Sequence, residues 1–218
     1  MTQNALVVRG LSAWYGQARA LENINLDIAT GETVGLLGMN GAGKSTLLRC
    51  LIGLHRERRG TIEILGHDAT KSTPVDIAKL GVSFVREGAA MPLSLTVEEH
   101  LDMGRRLARL RGLPAPAVDD IFDQVPLLRP LTGRQAGVLS GGQRQALALA
   151  SAFASSPRLL LLDEPSGGLS PQTASGVFDL IQQEVDDKGL TVMVVEQNRF
   201  WLDRMNTRAQ VLEVGAMV

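Results

Sequence analysis

The stretch Thr33-Val34-Gly35-Leu36-Leu37, running into Gly38-Met39-Asn40-Gly41-Ala42-Gly43-Lys44-Ser45-Thr46, constrains this chain more than any other feature. An apolar run that enters a glycine-rich loop and leaves through Lys-Ser-Thr into an apolar helical pattern reads as strand, loop, helix. The loop matches G-x-x-x-x-G-K-[ST]. Its glycines let the backbone curl with N–H groups pointing inward, at φ values other residues resist. A helix from about Lys44 brings its positive end to the same place. The pattern predicts a phosphate site: Lys44 neutralises β- and γ-phosphate charge, and the Ser45 hydroxyl is placed to ligate Mg²⁺.

Short strand-like runs alternate with helical ones along the rest of the chain. Ala5 to Arg9, Ile24 to Ile28, Thr61 to Leu65, Val82 to Val85, Leu159 to Leu162, Thr191 to Val195 and Gln210 to Val214 read as strands. Ile24, Leu26 and Ile28 are expected on one face. The fully apolar runs Leu159 to Leu162 and Val192 to Val195 suit the centre of a parallel sheet. Between Glu87 and Ser156 the pattern turns helical. Thr96-Val97-Glu98-Glu99 is a capping box opening a helix whose Val97, Leu101, Gly104 and Ala108 share a face. After a Pro114/Pro116 break come a helix over Val118 to Gln124 and a long one from about Ser140. The expectation is one α/β domain over 1–218, with a core of about 1–86 and 157–218 and a helical subdomain of about 87–156.

Two further motifs carry chemistry. Leu159 to Leu162 deliver Asp163-Glu164 at a strand's C-terminal end, where open α/β sheets bind ligands. Asp163 can organise Mg²⁺ and its waters; Glu164 can accept a proton from an attacking water. Leu139-Ser140-Gly141-Gly142-Gln143 opens a helix, with Ser140 as its cap and two glycines making a second phosphate-sized site.

The order phosphate loop, Leu-Ser-Gly-Gly-Gln, apolar strand with Asp-Glu resembles the ATP-binding subunit of ABC transporters, over essentially all 218 residues. The resemblance implies a P-loop NTPase core with a mostly parallel sheet, an N-terminal antiparallel β portion and a helical subdomain carrying the signature motif. It implies ATP as ligand, with Mg²⁺, and head-to-tail pairing with a second ATPase subunit. Ser140, Gly141, Gly142 and Gln143 would then contact, in trans, the γ-phosphate of ATP held by the partner's loop. Tyr15, in Trp14-Tyr15-Gly16, matches the aromatic residue that stacks on adenine. Gly168-Leu169-Ser170-Pro171 matches the loop coupling the two sites, with Ser170 in place of the usual aspartate. Glu87 stands where a Mg²⁺-ligating glutamine is usual, and Gln197 where a histidine contacts the γ-phosphate. A Gln amide still donates a hydrogen bond to phosphate but cannot become cationic.

These replacements, with Leu95-Thr96-Val97-Glu98-Glu99, Glu-Pro-Ser-x-Gly-Leu-Ser-Pro and Val-Glu-Gln-Asn, resemble the ATPases of branched-chain amino acid importers, with urea and short-amide importers next. In that group two ATPases, often different, sit beneath two transmembrane permeases, and an extracytoplasmic substrate-binding protein delivers cargo. The chain would lie peripherally on the cytoplasmic face of the cell membrane. Arg86, Ala89-Ala90 and Gln143-Arg144-Gln145 depart from the branch, so the cargo stays open, as do homo- or heterodimerisation and equality of the two sites. The motor residues encode no direction of transport.

Other readings rank lower. Lys plus Arg number 22 against 23 Asp plus Glu, which argues against a nucleic-acid partner. One phosphate loop and no long heptad stretch argue against a soluble double-cassette ATPase, and no Asn-Lys-x-Asp supports a GTPase. No leader, no appended regulatory domain and no spanning run of about 20 apolar residues are expected. Cys50, the single cysteine, reads as a buried hydrophobe. His55, His67 and His100 read as surface or turn residues, and Arg56-Glu57-Arg58-Arg59 as a solvated loop.

Overall fold

The computed structural model describes residues 3–205 and 207–218; Met1 and Thr2, part of the stretch on which the expectation about a leader rests, lie outside them. In chain order the elements are β1 (Asn4–Tyr15), β2 (Ala18–Ala29), β3 (Thr33–Leu37), α1 (Lys44–Leu51), β4 (Arg58–Ile64), β5 (His67–Asp68), α2 (Pro74–Leu80) and β6 (Val82–Val85). There follow α3 (Val97–Leu110), α4 (Val118–Gln124), α5 (Gly141–Ala154), β7 (Leu159–Asp163), α6 (Pro171–Lys188), β8 (Thr191–Glu196), α7 (Arg199–Arg204), β9 (Arg208–Glu213) and β10 (Ala216–Met217).

The strands form two sheets. An antiparallel sheet runs β2-β1-β4-β5, and a six-stranded sheet runs β10-β9-β3-β8-β7-β6, parallel except at β9–β10. In β2 the alternation buries Ile24, Leu26 and Ile28 on one side. In β1 register shifts between Val8 and Leu11, and again between Leu11 and Ala13, change the phase, so its apolar residues do not alternate simply.

Strands β7 and β8 are buried along their whole length because both faces of the parallel sheet are covered. Leu159, Leu161, Met193 and Val195 pack toward the antiparallel sheet and α1. Leu160, Leu162, Val192 and Val194 pack toward Phe178, Ile181 and Trp201 of α6 and α7. A third cluster lies within the helical segment, where Val97 and Leu101 meet Ile121, Phe122, Leu128 and Leu147. Gly104 permits the close crossing of α3 on α5: a Cβ there would collide with the Ser151 carbonyl and lie 2.9 Å from Ala154 Cβ.

Two bland readings need correction. His100 is only 4% exposed and its Nδ1 lies 2.8 Å from Thr96 O, because the apolar face of α3 carries it inward. Arg58 is not a solvated loop residue: it begins β4 and donates to Cys50 O at 2.7 Å and Thr70 O at 2.8 Å. Cys50 is buried, and desolvation pushes its thiol up to about 11. Among the described residues no helix is long and apolar enough to cross a membrane.

Candidate functional site

Parallel pairing of β3, β8, β7 and β6 brings four C-terminal strand ends to one edge of the sheet. The phosphate loop leaves β3, Glu87 follows β6, Asp163-Glu164 closes β7, and Glu196-Gln197 closes β8. That is the edge where open α/β sheets hold ligands.

The loop reaches its shape through two close approaches. Gly43, at φ 105°, is the N-cap of α1, and a Cβ there would lie 2.9 Å from Ala20 O. A Cβ on Gly38 would lie 2.7 Å from Leu212 O. No side chain caps α1 and no acidic residue stands in its first turn, so its N–H groups are left for an anion. Asn40, Gly41, Gly43, Lys44, Ser45 and Thr46 line a cavity of about 280 Å³ with Glu87 and Glu164; Met39 of the same loop is exposed and Ala42 buried, and neither lines it. Lys44 is 4% exposed. Its Nζ donates to Gly38 O at 2.7 Å and Met39 O at 3.1 Å, and ion-pairs with Glu164 Oε1 at 3.1 Å.

Glu164 takes φ +47°, an uncommon value for a side-chain-bearing residue, while its N–H donates to Val195 O at 2.9 Å. This turn aims its carboxylate back over the loop. The second oxygen accepts a hydrogen bond from Gln197 Nε2, so Lys44, Glu164 and Gln197 form one chain of contacts. Asp163, 8% exposed, is held above the usual carboxylate range by burial, then by the charges of Glu164 and Glu87; the Ser45 hydroxyl pulls the other way. Its Oδ1 is buried without a hydrogen-bond partner.

That orphaned oxygen tests the site for a cation. Asp163, Glu87 and Ser45 share a recess beside the cavity. Two carboxylates and a hydroxyl suit a hard cation such as Mg²⁺. Among the described residues no cluster of three or more His, Cys, Asp or Glu side chains could hold a metal alone. Mg²⁺ commonly takes one or two carboxylates and completes its shell with phosphate oxygens and water, so the residues fit.

Tyr15 lies at the end of β1, 47% exposed. Arg49 Nη1 donates to its hydroxyl at 3.2 Å, Thr46 Oγ1 lies 3.5 Å from it, and the His55 ring backs it at 4.6 Å. These contacts orient a ring that stays about half exposed. Ser140 is the N-cap of α5: its Oγ accepts from Gln143 N at 3.2 Å, and Gln143 Oε1 accepts from Ser140 N at 2.9 Å. Ser140 and Gly141 are exposed, and none of Ser140 to Gln143 lines the cavity beside the chain's own loop.

Sequence reasoning gave no role to Glu196. Its carboxylate is 2% exposed, accepts from Ser166 N at 3.0 Å and Gln197 N at 3.3 Å, and is raised by burial. It joins the segments that follow β7 and β8, and so holds Glu164 and Gln197 side by side. The only signal was a lone carboxylate ending an apolar strand. Arg19, at the cavity wall, was also missed; it pairs with Glu22 at 2.6 Å.

A family model described as ABC transporter matches residues 21–167. The high-affinity branched-chain amino acid transport ATP-binding protein BraG of Pseudomonas aeruginosa is 38% identical over 208 residues, covering 95% of this chain and 88% of that protein. The sulfate/thiosulfate import ATP-binding protein CysA of Bordetella pertussis is 43% identical over 170 residues, 76% of this chain and 47% of its own length. A dimeric ATP-binding cassette solved with ADP and Pi superposes with a TM-score of 0.84 at 24% identity, covering 97% of this chain and 96% of that one.

Proposed function

The chain belongs to the ABC transporter family of ATP-binding proteins and is an ATPase, and on that premise we propose that it energises uptake of branched-chain or related amino acids through two partner permeases. The observation that carries the catalytic part is the linked trio Lys44, Glu164 and Gln197 above the phosphate loop.

ATP seats its β- and γ-phosphates on the N–H groups of Gly41 to Thr46, and Tyr15 stacks on the adenine. Lys44 turns from Glu164 to the phosphates, which releases the carboxylate to accept a proton from water. Gln197, held beside it through Glu196, donates to the γ-phosphate. Ser45, Asp163 and Glu87 would hold Mg²⁺, which when bound neutralises charge on the phosphate oxygens. Exposure of Ser140 and Gly141, away from the chain's own cavity, favours their use on a nucleotide held by a second ATPase subunit, of this or another kind. Residues 87–156 then form the lobe that presents this motif.

The amino-acid reading draws on BraG, whose match spans nearly the whole chain, and on the Glu87 and Gln197 replacements. An extracytoplasmic binding protein would supply the cargo, and the chain would sit on the cytoplasmic face of the cell membrane. Purifying the tagged chain from detergent-solubilised membranes tests this. Two multi-spanning permeases, and leucine uptake by the reconstituted assembly that stops in E164Q, are expected. Sulfate or urea uptake instead would sink the cargo reading, and ribosomes without membrane proteins would sink transport.

A further inference from the structure

Arg111 is the C-cap of α3, and its guanidinium makes five contacts with five N–H groups available. Nε donates to Ala78 O at 2.8 Å. Nη1 donates to Ser155 O at 2.6 Å and Ser155 Oγ at 3.0 Å. Nη2 donates to Val82 O at 2.7 Å and Ser83 Oγ at 3.3 Å. The two serine hydroxyls, both buried, bond each other at 2.7 Å.

No carboxylate is among these acceptors. The charge is met instead by helix ends: Ala78 lies in the last turn of α2, Ser155 is the C-cap of α5, and Arg111 itself ends α3. Three C-terminal ends, each with partial negative charge, converge on one cation. Burial nevertheless lowers the guanidinium to about 10, a measure of how far it is removed from water.

What the clamp joins gives it a role. Helix α5 carries Ser140 to Gln143 at its far end, about 21 Å away at 1.5 Å per residue. Strand β6 runs from Val82 and Ser83 toward Glu87. Both are stiff elements, so fixing the rear of one to the start of the other ties their working ends. We propose that Arg111 is a positioning residue that locks α5 to β6, so that seating of Ser140 to Gln143 on nucleotide and placement of Glu87 occur as one movement. This rests on the roles proposed above for those residues. A lysine cannot substitute, since a point ammonium cannot span three separate sets of acceptors.

The test uses the tagged chain with its co-purifying partners, as wild type, R111K, E87A and R111K/E87A, with S83A as a milder variant. R111K is expected to bind mant-ATP within about twofold of wild type and keep KM for ATP, while kcat falls about tenfold, the scale expected for a misplaced group. In the E87A background the same change should cost less than about threefold, because Arg111 acts through Glu87. S83A removes a hydroxyl acceptor but no carbonyl, and should lower kcat by about threefold with the same split. An equal R111K loss in both backgrounds, or kcat and mant-ATP affinity falling together, would reduce the clamp to a structural support and overturn the proposal. If R111K does not fold, S83A with wild-type kcat overturns it. Wild-type turnover in E87A would instead remove the site reading on which it stands.

Discussion

Lys44 Nζ lies 3.1 Å from Glu164 Oε1, and both side chains are largely buried, so the phosphate-loop lysine and the proposed general base hold each other. Binding of a triphosphate must exchange this pair for Lys44–phosphate contacts. In E164Q the lysine loses its carboxylate partner and the water loses its base. Hydrolysis should fall by about 10² to 10⁴. ATP affinity should hold or rise, because Lys44 no longer has to leave an anion. Single-turnover hydrolysis beside mant-ATP titration separates the two effects, and turnover near wild type would defeat the base assignment.

Tyr15 contributes a ring held by Arg49 and His55 rather than a catalytic group. Y15F keeps the ring and loses only the hydroxyl contacts, so its ATP affinity should stay within about twofold. Y15A should weaken it by about 1–3 kcal/mol, the range for stacking a base on an aromatic side chain. Equal affinity of the two variants would remove Tyr15 from the adenine site.

Burial raises the Glu196 carboxyl, so the folded state holds a proton that the unfolded chain has already released. The sign follows: stability is unaffected below the ordinary carboxylate range and falls as pH rises from there through the raised value. E196Q cannot ionise. Its melting temperature relative to wild type should therefore climb as pH rises upward from the ordinary carboxylate range, and level off once the wild-type carboxyl has ionised. Thermal melts across that range would show it, and a constant difference at every pH would contradict it.

Gly104 lets α3 cross α5 closely enough to leave no room for a Cβ. G104A should cost about 1–3 kcal/mol through overpacking, read as a lower urea midpoint at unchanged slope. Because the clash lies within the helical segment, mant-ATP affinity of the folded fraction should not change. A midpoint equal to that of wild type would mean the helices can separate freely.

Much of this was legible in the chain itself. Thr33–Leu37, Val82–Val85 and Val118–Gln124 were bounded correctly because periodicity and breakers act over a few residues, and capping at Thr96 and Ser140 is local chemistry. The phosphate loop, the Asp163-Glu164 pair and the family were likewise written in contiguous motifs. The fold decided what depends on residues far apart in sequence. Parallel pairing of β3, β8, β7 and β6 assembled four strand ends into one site, and put Glu164 between Lys44 and Gln197. His100, Arg58, Glu196 and Arg111 looked like ordinary polar residues. Each became structural only where tertiary packing removed water; for Arg58, Glu196 and Arg111 it also supplied a partner from another element, which no local pattern encodes.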